Sequence, residues 1–64
     1  MKLLFRTTFT REGFSGNIIV PETMGSGGTI AQCKENALKK ATGVMASMTR
    51  NPDLYKPMLK EITK

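Results

Sequence analysis

Residues 29–51, TIAQCKENALKKATGVMASMTRN, form the one long stretch in which apolar side chains return at helical spacing, and their reading decides the fold. Thr29 stands before the first apolar position and Gln32 follows three residues later, so the start reads as a capping box that satisfies two orphan amides. Ile30, Cys33, Ala37, Leu38, Ala41, Val44, Met45 and Met48 share one face, with Gln32, Glu35, Asn36, Lys39, Gly43, Ala46 and Arg50 opposite. Arg50 suits a helix C-terminus, Asn51 tolerates a left-handed cap, and Pro52 cannot continue the hydrogen-bond ladder. The spacing therefore predicts a helix over 30–50.

Working outward, residues 2–10 alternate Leu3, Phe5, Thr7 and Phe9 with Leu4, Arg6, Thr8 and Thr10, which reads as a strand. Residues 14–20 alternate in the same way, with Phe14, Gly16, Ile18 and Val20 on one face. A four-residue loop over 10–13 would pair Phe9 with Phe14, Thr7 with Gly16, Phe5 with Ile18 and Leu3 with Val20. From Pro21 to Gly28 the chain is neither periodic nor apolar and reads as a surface loop. Its glycines suggest an anion nest, but the stretch lacks the Walker lysine and the dinucleotide spacing, so turning from strand to helix is the favoured role.

Beyond the helix, Pro57 disfavours a helix joining Leu54, Met58 and Ile62, so residues 58–63 are expected to form a third strand with Pro57 at its beginning or on an edge. Its inward parity stays open, because Met58 and Ile62 bring Lys60 while Leu59 brings Glu61. The expected architecture is α+β, a ββαβ chain over a single domain, residues 1–64. Strand 2, helix and strand 3 would make a right-handed crossover over strand 1, giving a three-stranded antiparallel sheet of order 2-1-3 with the amphipathic helix on one face. The other face would stay open, with Leu4 and Ile19 at an apolar end and Arg6, Thr8 and Asn17 at a polar one.

Composition narrows the chemistry. One cysteine and no histidine leave no intramolecular disulfide and no ordinary zinc or iron site, and they fit a reducing, cytoplasmic setting. No apolar run approaches the ~20 residues of a membrane span, and no signal-peptide pattern opens the chain. The carboxylates Glu12, Glu22, Glu35, Asp53 and Glu61 are scattered with no general base beside them, so neither an enzyme nor a cofactor is expected. Cys33 lies on the apolar stripe between Ile30 and Ala37, as a buried small hydrophobe would. Met24, Met45, Met48 and Met58 could line an adaptable groove, but Met45 and Met48 fall on the core stripe.

Gly28-Thr29-Ile30-Ala31-Gln32-Cys33-Lys34-Glu35-Asn36-Ala37, preceded by a hairpin through Glu12-Gly13-Phe14 and by Pro21-Glu22, resembles the hairpin-loop-helix start of HicB-type antitoxins over residues 3–41. The chain lacks that family's Leu-Pro-Gly-Cys run before the helix. The resemblance implies a small module that neutralises another protein by binding it.

Ten Lys and Arg against five Asp and Glu give a net charge of +5, which favours acidic partners. Nucleic acid is the alternative reading, although stacking would want exposed aromatics and only Tyr55 is expected outside the core. The favoured expectation is a basic, non-enzymatic inhibitor or antitoxin-like protein of the kind carried by phages and other mobile elements. It would bind a protein partner through Leu4, Arg6 and Ile19 on the open face, aided by Arg11, Lys39 and Arg50. A core this small, with Leu4 and Ile19 exposed, also predicts a homodimer.

Overall fold

The computed structural model describes residues 1–13 and 15–62. The order is β1 (Lys2–Arg11), β2 (Ile18–Ser26), α1 (Ile30–Met48), a 3-10 turn (Pro52–Leu54) and β3 (Tyr55–Glu61). The strands form one antiparallel sheet ordered β2-β1-β3, with α1 packed on one face, as the sequence predicts.

At the start of α1 the Gln32 amide donates to Thr29 Oγ1 at 3.1 Å, which is half of the capping box. The reciprocal bond falls one residue early: Gln32 Oε1 accepts from the amide of Gly28 at 2.8 Å, beside Thr29. The helix ends at Met48, two residues short of expectation. Thr49 leaves it in an extended conformation (φ −138°, ψ 151°), and Asn51 has φ −125°, so no left-handed cap forms. Pro52 bears on Asn51, because a proline disfavours α geometry in the residue before it, and Pro52 itself opens the 3-10 turn.

Strand 2 departs most from expectation. It runs over 18–26 rather than 14–20, so Pro21–Ser26, read as loop, is strand, and residues 12–17 make the connection. Within that connection Gly13 takes φ +74°, a left-handed conformation that glycine adopts without strain. The pairs are Phe9 with Ile18, Thr7 with Val20, Phe5 with Thr23 and Leu3 with Gly25. The expected 10–13 loop and its register are therefore both displaced, and Phe14, expected in the core opposite Phe9, lies outside the described residues. Between Val20 and Thr23 the register slips, so Pro21 and Glu22 together oppose Arg6 as a β-bulge. Across the bulge the inward positions are Val20 and then Thr23, three apart, which is why the alternation fails in the sequence.

Strand 3 begins at Tyr55, three residues earlier than expected, and Pro57 sits inside it. The Ile62 amide donates to the Leu4 carbonyl at 2.8 Å. Antiparallel alternation then places Pro57, opposite Phe9, in a non-hydrogen-bonded pair, so its missing N–H would have faced the outer edge and the ladder loses nothing.

The core has two parts. Phe9, Val20, Ala41 and Met45 form one, flanked by Ile18, Leu38 and Tyr55; Phe5, Cys33 and Ala37 form the other, flanked by Leu3 and Leu59. Thr7 lies between Phe5 and Phe9 on β1, fully buried, and its Oγ1 has no hydrogen-bond partner. The buried seam of α1 is the i, i+4 row Cys33-Ala37-Ala41-Met45. Ile30, Val44 and Met48, expected on the core face, are exposed instead. Ile30 and Met48 occupy the first and last turns, where no strand covers them, and Val44 flanks the seam.

Small residues let the helix come close. A Cβ on Gly25 would stand 1.8 Å from the Cys33 carbonyl oxygen and 2.9 Å from Ala37 Cβ, so this glycine sets the helix–strand separation rather than a turn. The helix lies over β2 and β1 and touches β3 lightly, leaving a groove lined by Ala31, Lys34, Glu35, Leu38, Pro57 and Leu59. No helix among the described residues is long and apolar enough to cross a membrane.

Candidate functional site

The face of the sheet turned away from α1 is uncovered, and strand alternation dictates what it carries. On β1 the buried positions are Phe5, Thr7 and Phe9, so Lys2, Leu4, Arg6, Thr8 and Thr10 point the other way. On β3 the positions opposite Thr10, Thr8 and Arg6 are Lys56, Met58 and Lys60, with Ile62 bonded to Leu4 just beyond them. On β2, Ile19 pairs with Thr8 and Met24 with Leu4, on either side of the bulge.

These side chains lie in rows across the strands. Met24, Leu4 and Ile62 make one apolar row; Ile19, Thr8 and Met58 make a second, mostly apolar one. Between the two rows run Arg6 and Lys60, with Glu22 of the bulge at their margin. Lys56 lies beyond the second row beside Thr10, and Lys2 beyond the first beside Ser26. Successive rows are ~7 Å apart, two residues along a strand. The face thus alternates basic and apolar stripes, rather than being apolar at one end and polar at the other as the sequence suggests. Asn17 lies before β2, outside this pattern.

Three large apolar side chains on this face are about half exposed or more: Ile19 (52%), Met24 (49%) and Met58 (66%). Among the described residues Lys2, Arg6, Lys56 and Lys60 form no ion pair. Arg6 and Lys60 share the central row, and Lys2 and Lys56 stand about 13 Å to either side along the strands, so positive charge is spread over the length of the face.

The structure brings together three of the six expected binding residues, Leu4, Arg6 and Ile19. Arg11 ends β1 opposite Tyr55, at a position whose parity is that of the helix side. Lys39 lies on the outside of α1, where its Nζ stands 3.9 Å from Glu35 Oε1 in an exposed i, i+4 pair worth about 0.3 kcal/mol. Arg50 follows the helix and is exposed. Tyr55, the aromatic expected outside the core, packs against it, so no aromatic lies on the open face among the described residues.

Although Met24 and Met58 were candidates for an adaptable groove, sequence reasoning did not assign Lys2, Met24, Lys56, Met58, Lys60 and Ile62 to this face. The signal for the last four was the Tyr55–Leu59 pair at even separation, which fixes the inward parity once strand 3 is allowed to start before Pro57. Met24 was hidden by the bulge.

Cys33 is fully buried, with its Sγ 3.5 Å from the Met1 carbonyl oxygen, which also accepts the Gly27 amide at 3.0 Å. Among the described residues no three His, Cys, Asp or Glu side chains gather as a metal would require. A Cβ on Gly27 would come within 2.6 Å of Gln32 Cβ, so this glycine gives room to the capping side chain. No protein-family model matches the chain, and no curated protein or solved structure matches it.

Proposed function

We propose that the chain is a non-enzymatic binding module that works by protein–protein contacts through its open sheet face, as an inhibitor or antitoxin-like protein of a mobile element. The observation that carries this reading is the alternation of basic and exposed apolar rows on a face with no aromatic among the described residues. A protein surface with acidic side chains beside apolar ones complements both kinds of row, and covering the face would desolvate Ile19, Met24 and Met58. Such a module acts by occluding its partner rather than by chemistry, and it stays in the cytoplasm with that partner.

The convergence of Lys2, Arg6, Lys56 and Lys60 on one face favours nucleic acid as a second reading. The two differ in their response to salt. Duplex binding through phosphates loses affinity with a log-log slope of roughly −0.9 per phosphate neutralised. An apolar interface with charged rows keeps most of its affinity as salt rises, because charge acts chiefly on the association rate. Affinity for the host protein recovered by pull-down should fall in Ile19→Lys and Met58→Lys as well as in Arg6→Glu, with a shallow salt response. Tight binding to random-sequence DNA or RNA, abolished by Arg6→Glu and Lys60→Glu and untouched by Ile19→Lys, would reverse the order of the two readings.

A further inference from the structure

The two edges of the sheet are finished differently. The Gly27 amide donates to the Met1 carbonyl, so alternation turns the backbone groups of Met24 and Ser26 outward from β1. Their carbonyls are already taken: Lys40 Nζ donates to Met24 at 3.0 Å, and Asn36 Nδ2 donates to Ser26. Side chains of α1 thus close this end of the β2 edge. On β3 the same alternation turns the groups of Pro57, Leu59 and Glu61 outward, and among the described residues no strand pairs with them. Leu59, half-buried at the lip of the groove, and the exposed Met58 stand beside this bare edge.

We infer that β3 pairs antiparallel with β3 of a second copy, about a two-fold axis at Leu59, joining two sheets into one of six strands. The edge itself selects that register. Pro57 and two lysines are what an edge carries to refuse indiscriminate strand addition, and the registers centred on Pro57, Met58 and Lys60 each meet one of them, while centring on Glu61 sets that carboxylate against its own copy. Centring on Met58 sets Lys56 against Lys60 twice, and centring on Lys60 sets that lysine against its own copy. Centring on Pro57 places two residues without an N–H in the middle of the ladder. With Leu59 at the centre, the two Leu59 residues exchange amide–carbonyl bonds, and each Glu61 amide reaches the other copy's Pro57 carbonyl. Lys60 then lies opposite Met58 and Lys56 opposite Ile62, so no like charges face each other. Leu59 meets Leu59 on the helix side, and both open faces merge into one continuous striped surface. The pairing does not depend on what that surface binds.

Sedimentation equilibrium from micromolar to millimolar concentration tests this on four single-residue variants. Wild type should form dimers. Glu61→Pro removes only an outward N–H, so the monomer keeps its ladder while the dimer loses two of its four bonds and weakens tenfold or more. Met58→Lys should weaken the dimer several-fold and Met58→Glu should strengthen it several-fold, since residue 58 faces Lys60 of the second copy and is exposed in the monomer. Ile19→Lys should leave it unchanged. A wild type that stays monomeric at millimolar concentration overturns the inference. So does a dimer that Ile19→Lys dissolves, or one that withstands Glu61→Pro and shows no opposite response to the two charges at position 58.

Discussion

Beneath the helix the sheet carries Gly25 against Cys33 and Ala37, whereas its open side carries Lys2, Arg6, Met24, Lys56, Met58 and Lys60. The covered side uses small or β-branched residues wherever α1 comes closest, with Phe5 and Phe9 filling the space to either side of Thr7. The open side uses long side chains with several free torsions. Their rotamer freedom survives folding and is lost only when something covers them, so they add little to the stability of the monomer. One face therefore fixes the shape of the molecule, and the other is free to be fitted to a partner. The two should answer substitution in opposite ways.

The largest effect belongs to Phe9→Ala. Phe9 is 1% exposed at the centre of one core cluster, and a truncation of this kind costs about 3–5 kcal/mol. A chain of 64 residues has on the order of 3–10 kcal/mol to lose, so denaturant titration should find the variant largely unfolded. Gly25→Ala comes next, at roughly 1–3 kcal/mol or more, because α1 must lift away from β2 to clear the Cys33 carbonyl. A cost below that range would show that the close approach of helix and strand is not needed.

Thr7→Val reverses the sign on the same face. It replaces a buried hydroxyl without a partner by a methyl group of similar size, so the unfolding midpoint should rise by the equivalent of about 1 kcal/mol. A fall instead would mean that Oγ1 has a partner in solution. On the open face, Arg6→Glu and Ile19→Lys should change stability by less than about 0.5 kcal/mol while binding of the partner is lost. If either unfolds the chain, the contrast between the faces collapses.

The contrast also explains what could be read from residues alone. Alternation named the inward members of β1 correctly, and it put Ile18 and Val20 on their side of the sheet. It could not fix the register, because the true pairing is displaced by four residues ahead of the bulge, an even displacement that leaves Ile18 and Val20 on the same face, and by five beyond it. The bulge at Pro21 and Glu22 then disguised the second half of β2 as loop, and the glycine that sets the helix height looked like turn chemistry. In β3 the adjacent apolar pair Met58-Leu59 left parity undecided until the packing of Tyr55 chose it. The open face was half legible as a result: Leu4, Arg6 and Ile19 came from strands whose parity was clear. The lysines of β3 counted as a scattered tail until pairing with β1 set Lys60 beside Arg6 and Lys56 beside Thr10 on the same face.

Cys33 gives the molecule a built-in clock. It is the single thiol of the chain, 0% exposed where α1 meets Gly25 of β2, so a thiol reagent can reach it only while the helix is lifted from the sheet. The labelling rate in native buffer therefore counts those openings. A rate that tracks denaturant as steeply as global unfolding would mean that helix and sheet part only when everything does; a flatter dependence would reveal a helix that detaches by itself.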